Sequence, residues 1–298
     1  MMLGTLGFLE SVSASNIFEP IGWGASAGMG GANKAVVDDA TALNTNPAAI
    51  VQIEGKKFHL GMGCFHPDAT FTNQFGSSGT VGHRNWYPLP EIAHVQKVDE
   101  RDLWLGVGMF FNTGAGADGF DVGTPFFPNP RKGYSNAGVL KMNPAVAFRI
   151  NPELSLGLAL NIYYASFELE SPMGPAYIEM HKATGFGYGF SAGLFYQPNR
   201  KLSLGVSYTS TSRLEDLKTD DANIETSPYL PPPFSGLSQR CKARVIDFQV
   251  PQKVIASLSY KLNDRITLAL NGEWQNYSKA FNTMTMEIYD AGILNQQT

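Results

Sequence analysis

The sequence predicts an all-β fold, an antiparallel transmembrane β-barrel, and three observations carry that prediction. Long stretches alternate large apolar residues with small or polar ones at a period of two, the period of a strand with two unlike faces. Charge is sparse, at 16% of residues, and gathers at strand ends. Connections alternate between short and long, as they do between the two rims of an outer-membrane barrel.

The alternation is clearest in ELSLGLALNIYY, where Leu154, Leu156, Leu158, Leu160 and Ile162 stand against Ser155, Gly157, Ala159 and Asn161. It recurs in KLSLGVSYTS, with Leu202, Leu204, Val206 and Tyr208 against Ser203, Gly205, Ser207 and Thr209, and again in RITLALNGEW. A soluble sandwich also alternates, but its polar face meets bulk water and carries Lys, Glu and Arg rather than Gly, Ser, Ala and Asn. Leu156, Leu158, Leu204, Val206 and Leu268 are therefore expected to face lipid, and Ser155 and Ser207 the interior.

Tight polar connections fall at Asp99-Glu100-Arg101, Asn151-Pro152, Pro198-Asn199-Arg200 and Asn263-Asp264-Arg265, and long ones at 66–88, 113–137, 168–184 and 212–249. The strands between them are expected at 56–65, 89–97, 102–112, 138–150, 153–168, 184–197, 201–212, 250–262 and 265–279. The tail MEIYDAGILNQQT offers the start of a tenth. Roughly nine to ten strands is an incomplete barrel for a class that closes with even numbers. Trp104, Phe148, Tyr163, Tyr164, Tyr260, Trp274 and Tyr277 lie near strand ends and suit interfacial aromatic girdles, or ordinary core packing.

Composition narrows function. A chain of 298 residues with net charge −4 has no basic footprint for nucleic acid. No apolar run reaches the length of a transmembrane helix. Cys64 and Cys241 lie far apart in no ligand spacing, and no disulfide is supported. The five histidines, His59, His66, His83, His94 and His181, show no metal spacing, and no cofactor is called for. Gly133-Tyr134-Ser135-Asn136-Ala137 has part of the form of a nucleophile elbow, but no helical pattern follows it, so no catalytic residue is assigned.

Before the first strand lie two further segments. Residues 1–14 pair a short apolar run with Val12-Ser13-Ala14, the later part of a signal peptide, or else a disordered N-terminus. Residues 15–52 are rich in glycine and small residues and close on Asn46-Pro47-Ala48, where Pro47 fixes its own φ and pushes Asn46 toward an extended conformation.

That segment, followed by LPEIAHV, GFGYGFSAGLFYQPNRKLSLGVSY and VPQKVIASLSYKLNDRITLALNGEW, resembles the FadL-type outer-membrane transporters of long-chain fatty acids and other hydrophobic compounds. The resemblance runs through nearly the whole chain. It implies a fourteen-stranded barrel plugged by an N-terminal hatch, here residues 15–52, with 53–298 forming an incomplete barrel that lacks its final strands. It implies a bacterial outer-membrane location, monomeric, with hydrophobic small molecules such as fatty acids and the outer-membrane lipids as partners. Transport would be passive, through the plugged barrel with lateral exit to the membrane. The alternatives are a general porin for polar solutes and an outer-membrane lipid hydrolase.

The resemblance also assigns sites. Phe18, Asn46, Pro47 and Ala48 belong to the ligand path in the hatch. In the third strand, Phe110, Asn112, Gly114 and Gly116 mark an inward kink that opens the wall sideways, the glycines breaking regular pairing, or else the glycines start an ordinary loop. The connection 168–184 is shorter than the family's insertion there. Ser171 and Met284 stand where cationic residues of the family meet a carboxylate, and the nearby candidates Lys182, Arg213 and Lys279 are either carboxylate partners or solvated rim charges.

Overall fold

The structure, a computed structural model, describes residues 31, 34–35, 39–66, 70–72, 80–81, 85–98, 101–263, 265–280 and 284–292. The expected signal segment 1–14 and Phe18 lie outside them.

A short helix α1 (Ala42–Thr45) leads through Asn46 into a 3-10 turn (Pro47–Gln52), and strands follow. They are β1 (Lys56–Phe65), β2 (Thr70–Phe71), β3 (Thr80–Val81), β4 (Tyr87–Lys97), β5 (Leu103–Thr124), β6 (Phe127–Met142), β7 (Ala145–Arg149), β8 (Leu154–Met173), β9 (Ala176–Tyr196), β10 (Leu202–Thr209), β11 (Arg213–Leu214), β12 (Leu217–Thr226), β13 (Ser238–Ile246), β14 (Lys253–Lys261), β15 (Thr267–Gln275) and, beyond helix α2 (Tyr277–Ala280), β16 (Thr285–Tyr289).

Pairing welds these pieces into longer wall strands. Both β6 and β7 pair with β5 and with β8, so they form one strand broken at Asn143-Pro144. All of β10, β11 and β12 pair with β9. β13 and β14 continue one another alongside β12 and β10, and β16 and β15 alongside β13 and β14. With these joins the antiparallel wall among the described residues has nine members, in the order β1-β4-β5-β6-β8-β9-β10-β14-β15.

Two expectations change here. The stretches 113–137, 168–184 and 212–249 are not long loops: β5 and β6 meet in a turn between Thr124 and Phe127, β8 and β9 between Met173 and Ala176, and 212–249 holds β11, β12 and β13. Nor does the tail start a tenth wall strand, because β16 pairs with β13 and prolongs the ninth. The reason is visible on the outer face, where Arg244 meets Glu287 and Asp216 (2.6 and 3.6 Å) and Lys242 meets Asp290 (3.1 Å). At this height the wall no longer faces hydrocarbon, so polar, charged sequence remains strand.

Lower down, the period-two expectation is met. Leu158, Leu160, Leu194, Val206 and Leu268 are exposed outward, while Ser155, Asn161, Ser203 and Ser207 are buried. Phe148, Tyr260 and Trp274 are exposed as a girdle requires. Trp104 and Tyr163 are not: both are fully buried, since each falls on the inward parity of its strand.

One rim is closed by a repeated device. Asn151, Asn199 and Asn263 each accept, through Oδ1, the backbone N–H groups two and three residues on, at 2.8 to 3.0 Å. These Asx turns fix the tight reversals that begin β8, β10 and β15.

Candidate functional site

Among the described residues, 31, 34–35 and 39–53 occupy the interior, and the wall's small polar face is what receives them. A segment with so little regular structure leaves backbone carbonyls without partners of its own, and buried carbonyls need donors. The wall supplies them: Trp104 Nε1 donates to Ile53 O (2.8 Å), Asn143 Nδ2 to Leu43 O (3.1 Å), Arg149 to Val51 O (3.2 Å), Lys141 Nζ to Asn44 O (3.3 Å) and Ser207 Oγ to Thr45 O (2.7 Å). Ser259 Oγ donates to Ala35 O (3.2 Å) and Asn271 Nδ2 to Gly31 O. One short stretch thus touches strands from β5 round to β15, which requires the sheet to curl about it.

Asn46 is the hinge of this segment. Its φ and ψ of −146° and 102° are extended, as expected of a residue before proline, and its Oδ1 accepts the Ala48 N–H (3.0 Å) to start the 3-10 turn. Its Nδ2 donates to Leu194 O on β9 (3.1 Å). Gly157, Gly193 and Gly205, on β8, β9 and β10, make a floor beneath Asn46-Pro47-Ala48. A Cβ at Gly157 would strike the Ala48 backbone, and one at Gly193 the Asn46 carboxamide. Ala48, Ala49, Ile50 and Val51 complete the contact by packing with Leu43, Val95, Trp104, Phe110 and Phe195 in one apolar cluster.

The wall beside this cluster is discontinuous. β4 pairs with β5 from Lys97↔Trp104 only as far as Glu91↔Phe110, whereas its pairing with β1 runs on to Phe65↔Tyr87. Above that point β5 continues with β6 alone, and the two sides of the wall are bridged again by Asn85 Nδ2 donating to Asp118 Oδ2. This leaves an unpaired stretch, a window in the backbone ladder, between Tyr87–Pro90 and the β5 segment from Phe111 to Ala117, with the Tyr87 ring against Gly116. At its base Glu91 meets His59 (3.4 Å), and at its upper outer corner Trp86 stacks on His66 with centroids 4.4 Å apart.

At the foot of the window, Phe110 is fully buried against the interior cluster. The β5–β6 register skips Asn112 between Phe111↔Leu140 and Thr113↔Val139. The irregularity therefore lies at Asn112 and not at the glycines, which stay paired: Gly114 with Gly138 and Gly116 with Asn136. The glycines serve close packing instead. The Phe111 ring covers Gly114, and the Tyr87 ring lies 3.5 Å from where a Cβ at Gly116 would stand.

The cationic candidates are not brought to this site. Arg213 is exposed and pairs with Tyr188, itself exposed outward, so both side chains share the outer face. Lys182 is exposed at a register shift between β8 and β9 with φ 24°. Lys279 falls in α2, and its side chain lies outside the described residues. Among the cations that do face the interior is Lys141, buried beside Asn44. Its inward parity on β6, shared with Val139, was the signal available to find it.

Farther out, a second apolar cluster joins Val139, Tyr163, Met180, Leu217, Val245, Phe248 and Val250. Arg131 and Glu225 clamp its outer end with paired hydrogen bonds of 3.0 and 2.9 Å, and the Arg131 guanidinium stacks on Tyr177 at 4.2 Å. The stretch 133–137 with Ser135 is regular β6, not the strand-to-helix turn of a nucleophile elbow.

Residues 21–298 match the family profile described as outer membrane protein transport protein (OMPP1/FadL/TodX). Outer membrane protein P1 of Haemophilus influenzae is 21% identical over 82% of this chain and 62% of its own length. A long-chain fatty acid transport protein of Escherichia coli O6:H1 is 23% identical over 64% of this chain and 49% of its own. The chain thus spans about half to three-fifths of the length of these relatives. Among solved structures, the Pseudomonas putida toluene transporter TodX superposes with a TM-score of 0.72 at 18% identity, covering 91% of this chain and 76% of that one. The Ralstonia pickettii toluene transporter TbuX gives 0.68 at 19% identity, covering 90% and 74%. These likenesses confirm the fold as a transmembrane β-barrel.

Proposed function

The chain belongs to the OMPP1/FadL/TodX family of outer membrane proteins, and we propose that it carries hydrophobic molecules passively through a plugged barrel, with lateral exit into the membrane. The single observation that supports this best is the end of the β4–β5 ladder at Glu91↔Phe110, beside an interior sealed by residues 40–53. An axial aqueous route would have to pass the buried cluster of Leu43, Ile50, Trp104 and Phe110. A side route leads an apolar solute toward the acyl chains that it already prefers, and the free energy of leaving water drives it without nucleotide or cofactor.

In this reading residues 15–52 are the hatch and 53–298 the wall, with Phe18, Asn46, Pro47 and Ala48 on the ligand path inside. Phe110 and Asn112 line the exit, and Gly114 and Gly116 let the Phe111 and Tyr87 rings pack closely beside it. Candidate cargoes are long-chain fatty acids, as the name of the Escherichia coli relative states for that protein, and aromatic hydrocarbons, as the toluene transporters' names state for theirs. The exposed Arg213 and Lys182 give no support to a dedicated carboxylate site, and that weighs toward uncharged cargo.

The test is uptake of radiolabelled oleate and of toluene by cells expressing the full-length protein, against cells with the empty vector. Faster uptake of either supports the reading. No gain for both removes it.

A further inference from the structure

The window has a covalent cause on its β4 side. Backbone N–H groups along a strand point alternately to its two neighbours. The Lys97 N–H donates toward β1, to Gly55 O (2.8 Å), and the next residue, Val98, donates toward β5, to Leu103 O (2.8 Å). Counting back from these two bonds, odd-numbered residues of β4 present their amides to β1 and even-numbered residues to β5. The even positions are Gln96, His94, Ile92, Pro90 and Pro88.

The β4–β5 ladder includes Gln96↔Leu105, His94↔Val107 and Ile92↔Met109, and stops one pair later. Continued in the same register, it would next oppose Pro90 to Phe111 and Pro88 to Thr113. Neither proline has an N–H to give. The odd residues beside them, Tyr87 and Leu89, keep their places in the β1 ladder undisturbed. Both prolines thus fall on the one side of β4 where their missing donors go unneeded, the placement that natural sheets use to blunt an edge.

We infer that Pro88 and Pro90 are the positioning residues that hold the window open, by making the upper part of β4 unable to pair with β5. They touch no cargo in this role. An amide at either position would face the window, where lipid offers it no partner, and would be driven to find one on β5. The prolines remove that drive, so the opening needs no ligand and no energy to persist. The inference rests on the lateral-exit reading only for its consequence in transport.

The test places cysteines at Leu89 and Asn112, which the extended register would set opposite each other, in full-length protein refolded into liposomes. Disulfide formation is followed with and without the further change Pro88→Val and Pro90→Val. With the prolines, cross-linking is expected to be slow. With valines, it should rise about tenfold as the two thiols are brought together, and toluene uptake by the same variant without the cysteines should fall several-fold. Heat-modifiable migration on gels reports folding. If the double variant does not fold, Pro90→Val alone restores the donor next to the last pair and gives the same reading. Equal cross-linking with and without prolines overturns the inference, whatever uptake does. Faster cross-linking with unchanged uptake upholds the prolines' role and overturns lateral exit instead.

Discussion

The carboxamide of Asn46 lies where a side chain at Gly193 would begin, so the plug and the wall fit only because β9 carries no Cβ at that point. The same carboxamide bonds to Leu194 O and to the Ala48 N–H. Gly193→Val should therefore expel Asn46 from its seat at a cost of about 1–3 kcal/mol, the usual penalty of overpacking. Asn46→Ala should cost about 1–3 kcal/mol by leaving Leu194 O and the Ala48 amide without this partner. Urea unfolding in detergent micelles would measure both; if the two changes combined cost no less than their sum, the contact between them is not real.

Trp104 ties the end of the plug to β5 through Ile53 O, with Arg149 and Lys97 over its ring at 5.0 and 5.1 Å. Trp104→Phe keeps most of the packing and loses the N–H donor. It should destabilise by about 1–2 kcal/mol, whereas a lipid-facing girdle tryptophan would lose less. Its fluorescence should also be blue-shifted and shielded from aqueous quenchers.

Faces can be told apart by an arginine scan. Arg at Leu158 or Val206, both exposed to the hydrocarbon belt, should cost about 2–4 kcal/mol near the midplane. Arg at Ser207 instead meets the Thr45 carbonyl and the plug. It should displace the plug and raise permeability rather than block membrane insertion. Folding yields into liposomes separate the two outcomes, and equal insertion defects on both faces would refute the parity.

Deleting residues 15–50 from the full-length protein should open the barrel to small polar solutes, because the wall donors Asn143, Ser207 and Arg149 would then face water. Liposome swelling with sugars measures it, and unchanged swelling would mean that the segment seals nothing.

At the window, Gly116→Ala should be tolerated, since a Cβ there meets the Tyr87 ring and the Ser135 carbonyl at ordinary contact distance. Gly114→Val should be worse, because its Cβ would press on the Phe111 ring and the Ala137 carbonyl. Replacing both by valine should slow oleate and toluene uptake in cells while surface binding persists. Uptake at the unsubstituted rate would count against this exit.

Legibility divided along a physical line. Period-two alternation is local, so ELSLGLALNIYY alone showed that Leu158 and Ser155 face opposite ways. The same rule, applied to Trp104 and Tyr163, puts them inside; reading them from their nearness to strand ends gave the wrong face. Stretches such as 212–249 looked like loops because a strand that rises above the hydrocarbon has no need of an apolar face. Its outer residues become Lys242, Arg244 and Glu287, and the alternation fades while the pairing continues.

By itself the sequence determined the fold class and the face of each membrane-level strand residue, because lipid on one side and a confined interior on the other impose a pattern that repeats every two residues. It also carried the prolines at 88 and 90, but not their meaning. Which neighbour a backbone amide addresses depends on the strands beside it, and only the tertiary structure set β5 on the side where the two donors are missing. The tertiary structure alone likewise joined Asn46 to Gly193 and Trp104 to Ile53. Such partners are many residues apart in the chain, and nothing in either local stretch specifies the other.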